Sequence, residues 1–302
     1  MTWTWIGLGV ASVVGLIVLA YWQLVLAEGT YLGPRMVART YDWVASRYDA
    51  IKQYQPGAER WFVAGPVLRG LQGIQHPLIL DVATGTGRLP LALLRERFRG
   101  EIIGLDLSSG MLRQARANLG MYAEQVTLVQ QDASHLPFDD GQFDAVTCME
   151  SLEFMPRPLD VLAEMVRVLA PGGILFLTNR VGWEARWLPR RAIGRPAFKR
   201  VLAGLGLVDI EVRPWQVNYD LAAARKPPGQ QRMADGENLV SGHVPVAQTP
   251  ANGRGLDVLR CSTCGGRLDR RAGALVCSTC TLAFPIRDGV IYLANPGKRV
   301  AP

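Results

Sequence analysis

Four cysteines, two glutamates, three aspartates and a pair of glycines carry the chemistry open to this sequence. Cys261, Cys264, Cys277 and Cys280 stand as C-x2-C-x12-C-x2-C, and two thiolate knuckles at this spacing can close around one tetrahedral zinc ion. Glu150 and Glu153 lie in "CMESLEFMPRP" (148–158), just after the apolar run from Phe143 to Thr147. Acids at the carboxyl end of such a strand can work on a substrate, hold a cation, or start a helix, whose dipole favours acids in its first turn. The third constellation is "DVATGTG", with Asp81, Gly85 and Gly87, followed by Asp106 and then Asp132. Glycines in a strand-to-helix turn let the backbone approach a ligand closely. An acid 19 residues after Gly87 can bond both ribose hydroxyls of an adenosine.

The elements that must position these residues read as strands and helices in alternation. "LILDV" (78–82) is a buried strand, and an amphipathic helix begins near Leu89; "EIIGLDLS" is a second strand ending in Asp106, and Asp132 follows a third. A dinucleotide site would share the first of these features. Against it, Pro90 stands where the third glycine of G-x-G-x-x-G belongs, and Asp81 would repel a pyrophosphate but favour a ligand carrying an ammonium or sulfonium. Asp132 is placed as an acceptor for an adenine amine.

The whole series resembles the class I S-adenosylmethionine-dependent methyltransferases over residues 36–226, including "FDAVTCMESLEFM", "VLAPGG" (168–173) and "ILFLTN" (174–179). The resemblance implies a Rossmann-like seven-stranded α/β sheet. It also implies that the glycine turn, with Asp81, Ala83, Gly85 and Gly87, lies under the methionine part of S-adenosylmethionine. Asp106 and Leu107 would then take the ribose, and Asp132 and Ala133 the adenine. Upstream, "TYDWVASRYDAI" repeats Tyr-Asp at 41/42 and 48/49 on one helix face. Similar quinone-pathway methyltransferases carry this helix as a lid, which points to Tyr48 over the cofactor. "VTCMESLEFMPRP" resembles the ubiquinone-pathway O-methyltransferases and "DVATGTG" the C-methyltransferases of quinone synthesis. In the O-methyltransferase pattern a histidine completes a metal-binding trio with the two glutamates; here Phe154 takes its position.

Residues 1–35 form an anchor with an uncharged span at about 5–27, flanked by Trp3, Trp5, Tyr21 and Trp22. The nearest cations, Arg35, Arg39, Arg47 and Lys52, follow it, which places the remainder of the chain in the cytoplasm. A cleaved signal peptide is the rival, but no basic region precedes the apolar run. The chain has 302 residues and a net charge of +7. Most of that excess lies between Arg180 and Arg200, interleaved with Trp183, Trp187 and Phe198, which suits an anionic membrane or a nucleic-acid backbone. Cys148, in an apolar strand, reads as a core residue.

Residues 227–255 read as a flexible linker and 256–302 as a zinc ribbon. With its cysteines, "TLAFPIRDGVIYL" resembles the activator subunit of tRNA, rRNA and release-factor methyltransferases over about 257–294. The resemblance implies an intramolecular pairing, with Phe284, Ile286, Val290 and Ile291 packed on the larger domain. The expected function is a membrane-anchored methyltransferase acting on a lipophilic small molecule, a quinone precursor or lipid. RNA or translation-factor methylation and a non-catalytic cofactor-binding scaffold are the alternatives.

Overall fold

The computed structural model describes residues 2–229, 254–294 and 297; the expected linker lies almost wholly outside them. Eleven strands form one sheet: β1 (Leu78–Val82), β2 (Glu101–Asp106), β3 (Val126–Gln130), β4 (Phe143–Cys148), β5 (Leu169–Arg180), β6 (Val208–Gln216), β7 (Tyr219–Arg225), β8 (Leu268–Arg271), β9 (Ala274–Cys277), β10 (Ala283–Arg287) and β11 (Val290–Tyr292). Their order is β6-β7-β5-β4-β1-β2-β3-β11-β10-β9-β8. β1 to β5 pair in parallel, while β7 runs antiparallel between β5 and β6. β1 is buried at every position, as expected of a central parallel strand covered on both faces.

The expected seven strands are therefore eleven. The first seven belong to the Rossmann-like part, and the ribbon contributes four more. β3 would be an edge strand with unpaired backbone groups, a feature that folded proteins cover. Here β11 covers it in parallel register, Val290 opposite Leu128, Ile291 opposite Val129 and Tyr292 opposite Gln130. Val290 is fully buried in the cluster that holds Leu112, Ala115 and Leu119 of the helix Ser109–Leu119. Phe284 and Ile291 join the cluster on the other face, and Ile286 packs at its margin. The ribbon thus shares both cores of the larger unit.

Helix α1 (Thr2–Tyr21) is exposed along its described side chains. Within the described residues, Trp3–Leu26 is the one helical stretch long and apolar enough to cross a membrane. At about 1.5 Å per residue it is longer than a hydrocarbon core of roughly 30 Å. Its base does not swing free. Trp22 stacks on Tyr31 with centroids 5.1 Å apart, Trp22 Nε1 donates to the Trp187 carbonyl at 3.0 Å, and Tyr31 Oη donates to that of Pro189 at 2.8 Å. Ala27, Phe154 and Leu188 form a small core beneath these contacts. Helix α2 (Pro34–Val44) follows, then a 3-10 turn at Ala45–Arg47 and helix α3 (Tyr48–Lys52). The Tyr-Asp repeat is therefore interrupted rather than carried on one helix, yet the Tyr41 and Tyr48 rings still meet at 6.0 Å.

Candidate active site

β1 delivers the chain into a left-handed turn in which Ala83, Gly85 and Gly87 have φ of +55°, +56° and +82°. Asp81 braces this turn from below: its carboxylate accepts from Thr84 Oγ1 and Thr147 Oγ1, each at 2.7 Å. Burial pushes its carboxyl up to about 6 despite those two hydroxyls. Asp106, at the end of β2, accepts from Gly85 N at 2.9 Å and Ser108 N at 2.8 Å. Burial pushes it up to about 6 as well, against the backbone donors. An ionised carboxylate has about four acceptor sites, so these backbone donors leave it able to take a further one. A Cβ on Gly85 would project into open space, whereas one on Gly87 would press on Ala115 Cβ at 3.3 Å. The first glycine thus faces the cleft, and the second admits the helix Ser109–Leu119.

The cleft above this turn encloses about 760 Å³, including space open to solvent, within the range of ligand pockets. Of the residues picked out in sequence, Tyr48, Ala83, Gly85, Asp106, Leu107, Asp132, Ala133 and Glu150 line it together. Asp81, Gly87 and Glu153 do not. Three acids and no lysine or arginine stand on the lining. Glu150 is ion-paired to Lys52 and Arg88 behind the wall, so it is Asp106 and Asp132 whose field favours a cation and opposes a pyrophosphate. The remaining wall is largely apolar, with Val37, Met111, Met149, Phe154, Met155 and Pro156.

The two glutamates face different partners. Glu150, at a strained φ of +50°, accepts from Lys52 Nζ at 2.9 Å and Arg88 Nη1 at 2.6 Å. Burial opposes its charge, yet Lys52 and Arg88 hold its carboxyl below the usual range. Arg88 also forks onto Glu59 at 2.7 and 2.8 Å. Glu153 sits in a short 3-10 turn, Leu152–Phe154, not in a regular helix. It accepts from Tyr219 Oη at 2.5 Å and from Arg180 Nη1 at 3.3 Å, and burial pushes its carboxyl up.

Sequence reasoning missed Pro34, Val37, Tyr41, Gln131 and Ser151 among the cleft walls, and Lys52 and Arg88 as partners of Glu150. Only Tyr41 had a local signal, the Tyr-Asp repeat. The basic stretch 180–200 divides: Arg180 turns inward to Glu153, Arg191 Nη1 donates to the Met155 carbonyl at 2.6 Å, and Arg195 pairs with Asp220. Arg186, Arg190, Lys199 and Arg200 stay exposed. Cys148 is fully buried, as expected.

In the ribbon the four cysteine sulfurs lie within 4.8 Å of one another. Cys261 and Cys280 are 3.6 Å apart, Cys264 and Cys277 3.4 Å, near the spacing of sulfurs at about 2.3 Å from a shared tetrahedral ion. The N–H groups of Cys280 and Thr279 point at Cys277 Sγ, each at 3.4 Å; they hold that thiol down to about 7 although burial pushes it up.

Comparison with known proteins agrees with this geometry. Residues 80–177 match a methyltransferase-domain model, and 254–289 match a Trm112p-like protein model. The demethylmenaquinone methyltransferase of Thermobifida fusca is 38% identical over 180 residues, covering 54% of this chain and 75% of the relative. This chain belongs to the class I S-adenosylmethionine-dependent methyltransferases. A second relative, the demethylmenaquinone methyltransferase of Thermus thermophilus, is 42% identical over 132 residues, 42% of this methyltransferase and 57% of the relative. Among solved structures, the [4+2]-cyclase SpnF superposes with a TM-score of 0.55 at 22% identity, covering 64% of this methyltransferase and 96% of SpnF, a likeness of fold alone. The methyltransferase is thus an enzyme dependent on S-adenosylmethionine with a Trm112-like segment in the same chain.

Proposed function

We propose that this methyltransferase moves the methyl group of S-adenosylmethionine onto a lipophilic quinol-type acceptor at a membrane surface. The carrying observation is that the segment leaving the apolar helix forms part of the cleft wall: Pro34, Val37 and Tyr41 line it, and Thr30 Oγ1 donates to the Phe154 carbonyl at 2.7 Å. The names of the relatives support a quinone ring as acceptor. In this reading α1 is a single-pass anchor, the catalytic unit (36–226) lies on the cytoplasmic side with Arg35, Arg39 and Arg47, and exposed Trp183, Trp187, Arg186 and Arg190 rest on the lipid surface. The Trm112-like ribbon (256–302) holds Zn2+ through Cys261, Cys264, Cys277 and Cys280.

The cleft suits the cofactor. Asp106 accepts the ribose hydroxyls, Asp132 the adenine amine, and Gly85 with Ala83, Leu107 and Ala133 gives the backbone floor. Asp81 and Gly87 act from behind, through the shape of the turn. Tyr48 closes over the site, and Glu150 latches α3 to the glycine turn through Lys52 and Arg88. The cofactor supplies an electrophilic methyl group when bound; the chain's task is to exclude water and align the acceptor. Host membranes incubated with methyl-labelled S-adenosylmethionine are expected to carry label in the quinone fraction of a lipid extract. Label confined to RNA or protein refutes the reading.

A further inference from the structure

Glu28 lies between the apolar helix and α2, ahead of the region matched by the methyltransferase-domain model. It has a φ of +50° and is followed by Gly29 at +77°, a kink that turns its side chain onto the catalytic unit. Tyr41, which lines the cleft, donates its hydroxyl to Glu28 Oε2. The groups electrostatically facing Glu28 are Tyr41, Glu153, Lys52 and Arg180; those facing Tyr41 include Tyr48 and Tyr219. No lysine or arginine is hydrogen-bonded to Glu28 among the described residues, whereas Glu150 and Glu153 each bond to at least one. Glu153 also accepts from a tyrosine, Tyr219, but shares that bond with Arg180; of these three acids, Glu28 alone is bonded by a tyrosine hydroxyl and by no cation.

We infer that Tyr41 binds the acidic hydroxyl of the acceptor and that Glu28, acting through Tyr41, receives its proton. This rests on the quinol reading above. Tyr41 cannot serve as the base, because burial and Glu28 drive its hydroxyl well above the ordinary phenol range; it relays. As the acceptor hydroxyl gives its proton to Tyr41 Oη, the Tyr41 proton passes to Glu28. The ring carbon, enriched in electrons, forms a bond to the methyl carbon, and the methyl–sulfur bond breaks with its pair going to sulfur. The resulting ring ketone loses its ring-carbon proton to water and takes a proton back through Tyr41 onto oxygen. The net products are methylated quinol, S-adenosylhomocysteine and one proton. A step so divided gains from a base of raised affinity, and burial pushes Glu28 above the usual carboxylate range.

The test uses the full chain in lipid nanodiscs, a prenylated demethylated naphthoquinol and labelled S-adenosylmethionine. Glu28→Gln keeps the shape of the acceptor of the Tyr41 bond, and Tyr41→Phe keeps the ring. Each is expected to lower kcat by about 10²-fold while S-adenosylhomocysteine affinity and melting temperature stay near wild type. Glu28 must be ionised to receive the proton, so wild-type kcat falls as pH drops through its raised value. Glu28→Gln loses that limb. Undiminished kcat in both variants with the acid limb intact overturns the relay alone. No transfer by the wild type to this quinol overturns the substrate reading and the relay with it.

Discussion

Replacing Asp106 with alanine removes the carboxylate assigned to the ribose. Each hydrogen bond from a neutral hydroxyl to a buried carboxylate contributes roughly 1.5–3 kcal/mol, so losing two predicts a fall in S-adenosylhomocysteine affinity of roughly 10²–10⁴-fold. The fold itself should tolerate the change. Burial has moved this carboxyl from 3.8 to about 6, an opposing free energy of at most about 3 kcal/mol, less what cleft water screens. Because the folded value is raised, the unbound protein binds more protons than the unfolded chain between those values. Its stability therefore declines as pH rises through that window, and the substitution removes this slope. Ligand binding has the opposite sign: the ionised form is the one that accepts two hydroxyls, so affinity weakens as pH falls below about 6 in the wild type and is flatter in Asp106→Ala. Isothermal titration against S-adenosylhomocysteine from pH 5 to 8 reads both effects (roughly the span over which such a carboxyl titrates). Unchanged affinity in Asp106→Ala at neutral pH would refute the ribose assignment outright.

Arg88→Ala leaves Glu59 and Glu150, with 12% and 7% side-chain exposure, facing each other without their shared cation. It is expected to destabilise by about 3–5 kcal/mol, read by denaturant unfolding, and Arg88→Lys should recover only part because the fork onto Glu59 is lost. Val290→Asp places a charge at a position with no solvent exposure between the two units. Several kcal/mol should be lost, with the ribbon becoming sensitive to limited proteolysis. Removing metal with a strong chelator should release one zinc per chain, measured with a chromogenic indicator. The melting temperature should fall by about 5 °C or more, and a chain without bound zinc would refute the ribbon assignment.

What the sequence disclosed was local. Asp81, Gly85 and Asp106 are read by distance along one strand–turn–helix unit, and the cysteines by their knuckle spacing, because few folds satisfy such patterns. Gly87 shows the limit of this reading. Its residue type demanded a close approach, but the approaching group is Ala115 of a helix, not a ligand. Glu150 was legible as an acid after a strand, while its partners Lys52 and Arg88 lie 98 and 62 residues away. No periodicity encodes such pairs. The parallel pairing of β11 with β3 was foreseen only as packing, since a three-residue strand carries too little pattern to specify a partner edge.

That pairing also bears on how the chain is made. β3 is synthesised about 160 residues before β11, the strand that seals it, so during elongation the growing polypeptide holds a Rossmann-like sheet whose β3 edge is raw. Exposed strand edges in partly folded chains are where intermolecular pairing begins. The long separation makes closure a late, entropically slow event. Carrying the ribbon in the same polypeptide guarantees one edge cover for every sheet at a fixed local concentration. A cell using two separate subunits must match their expression to achieve the same protection.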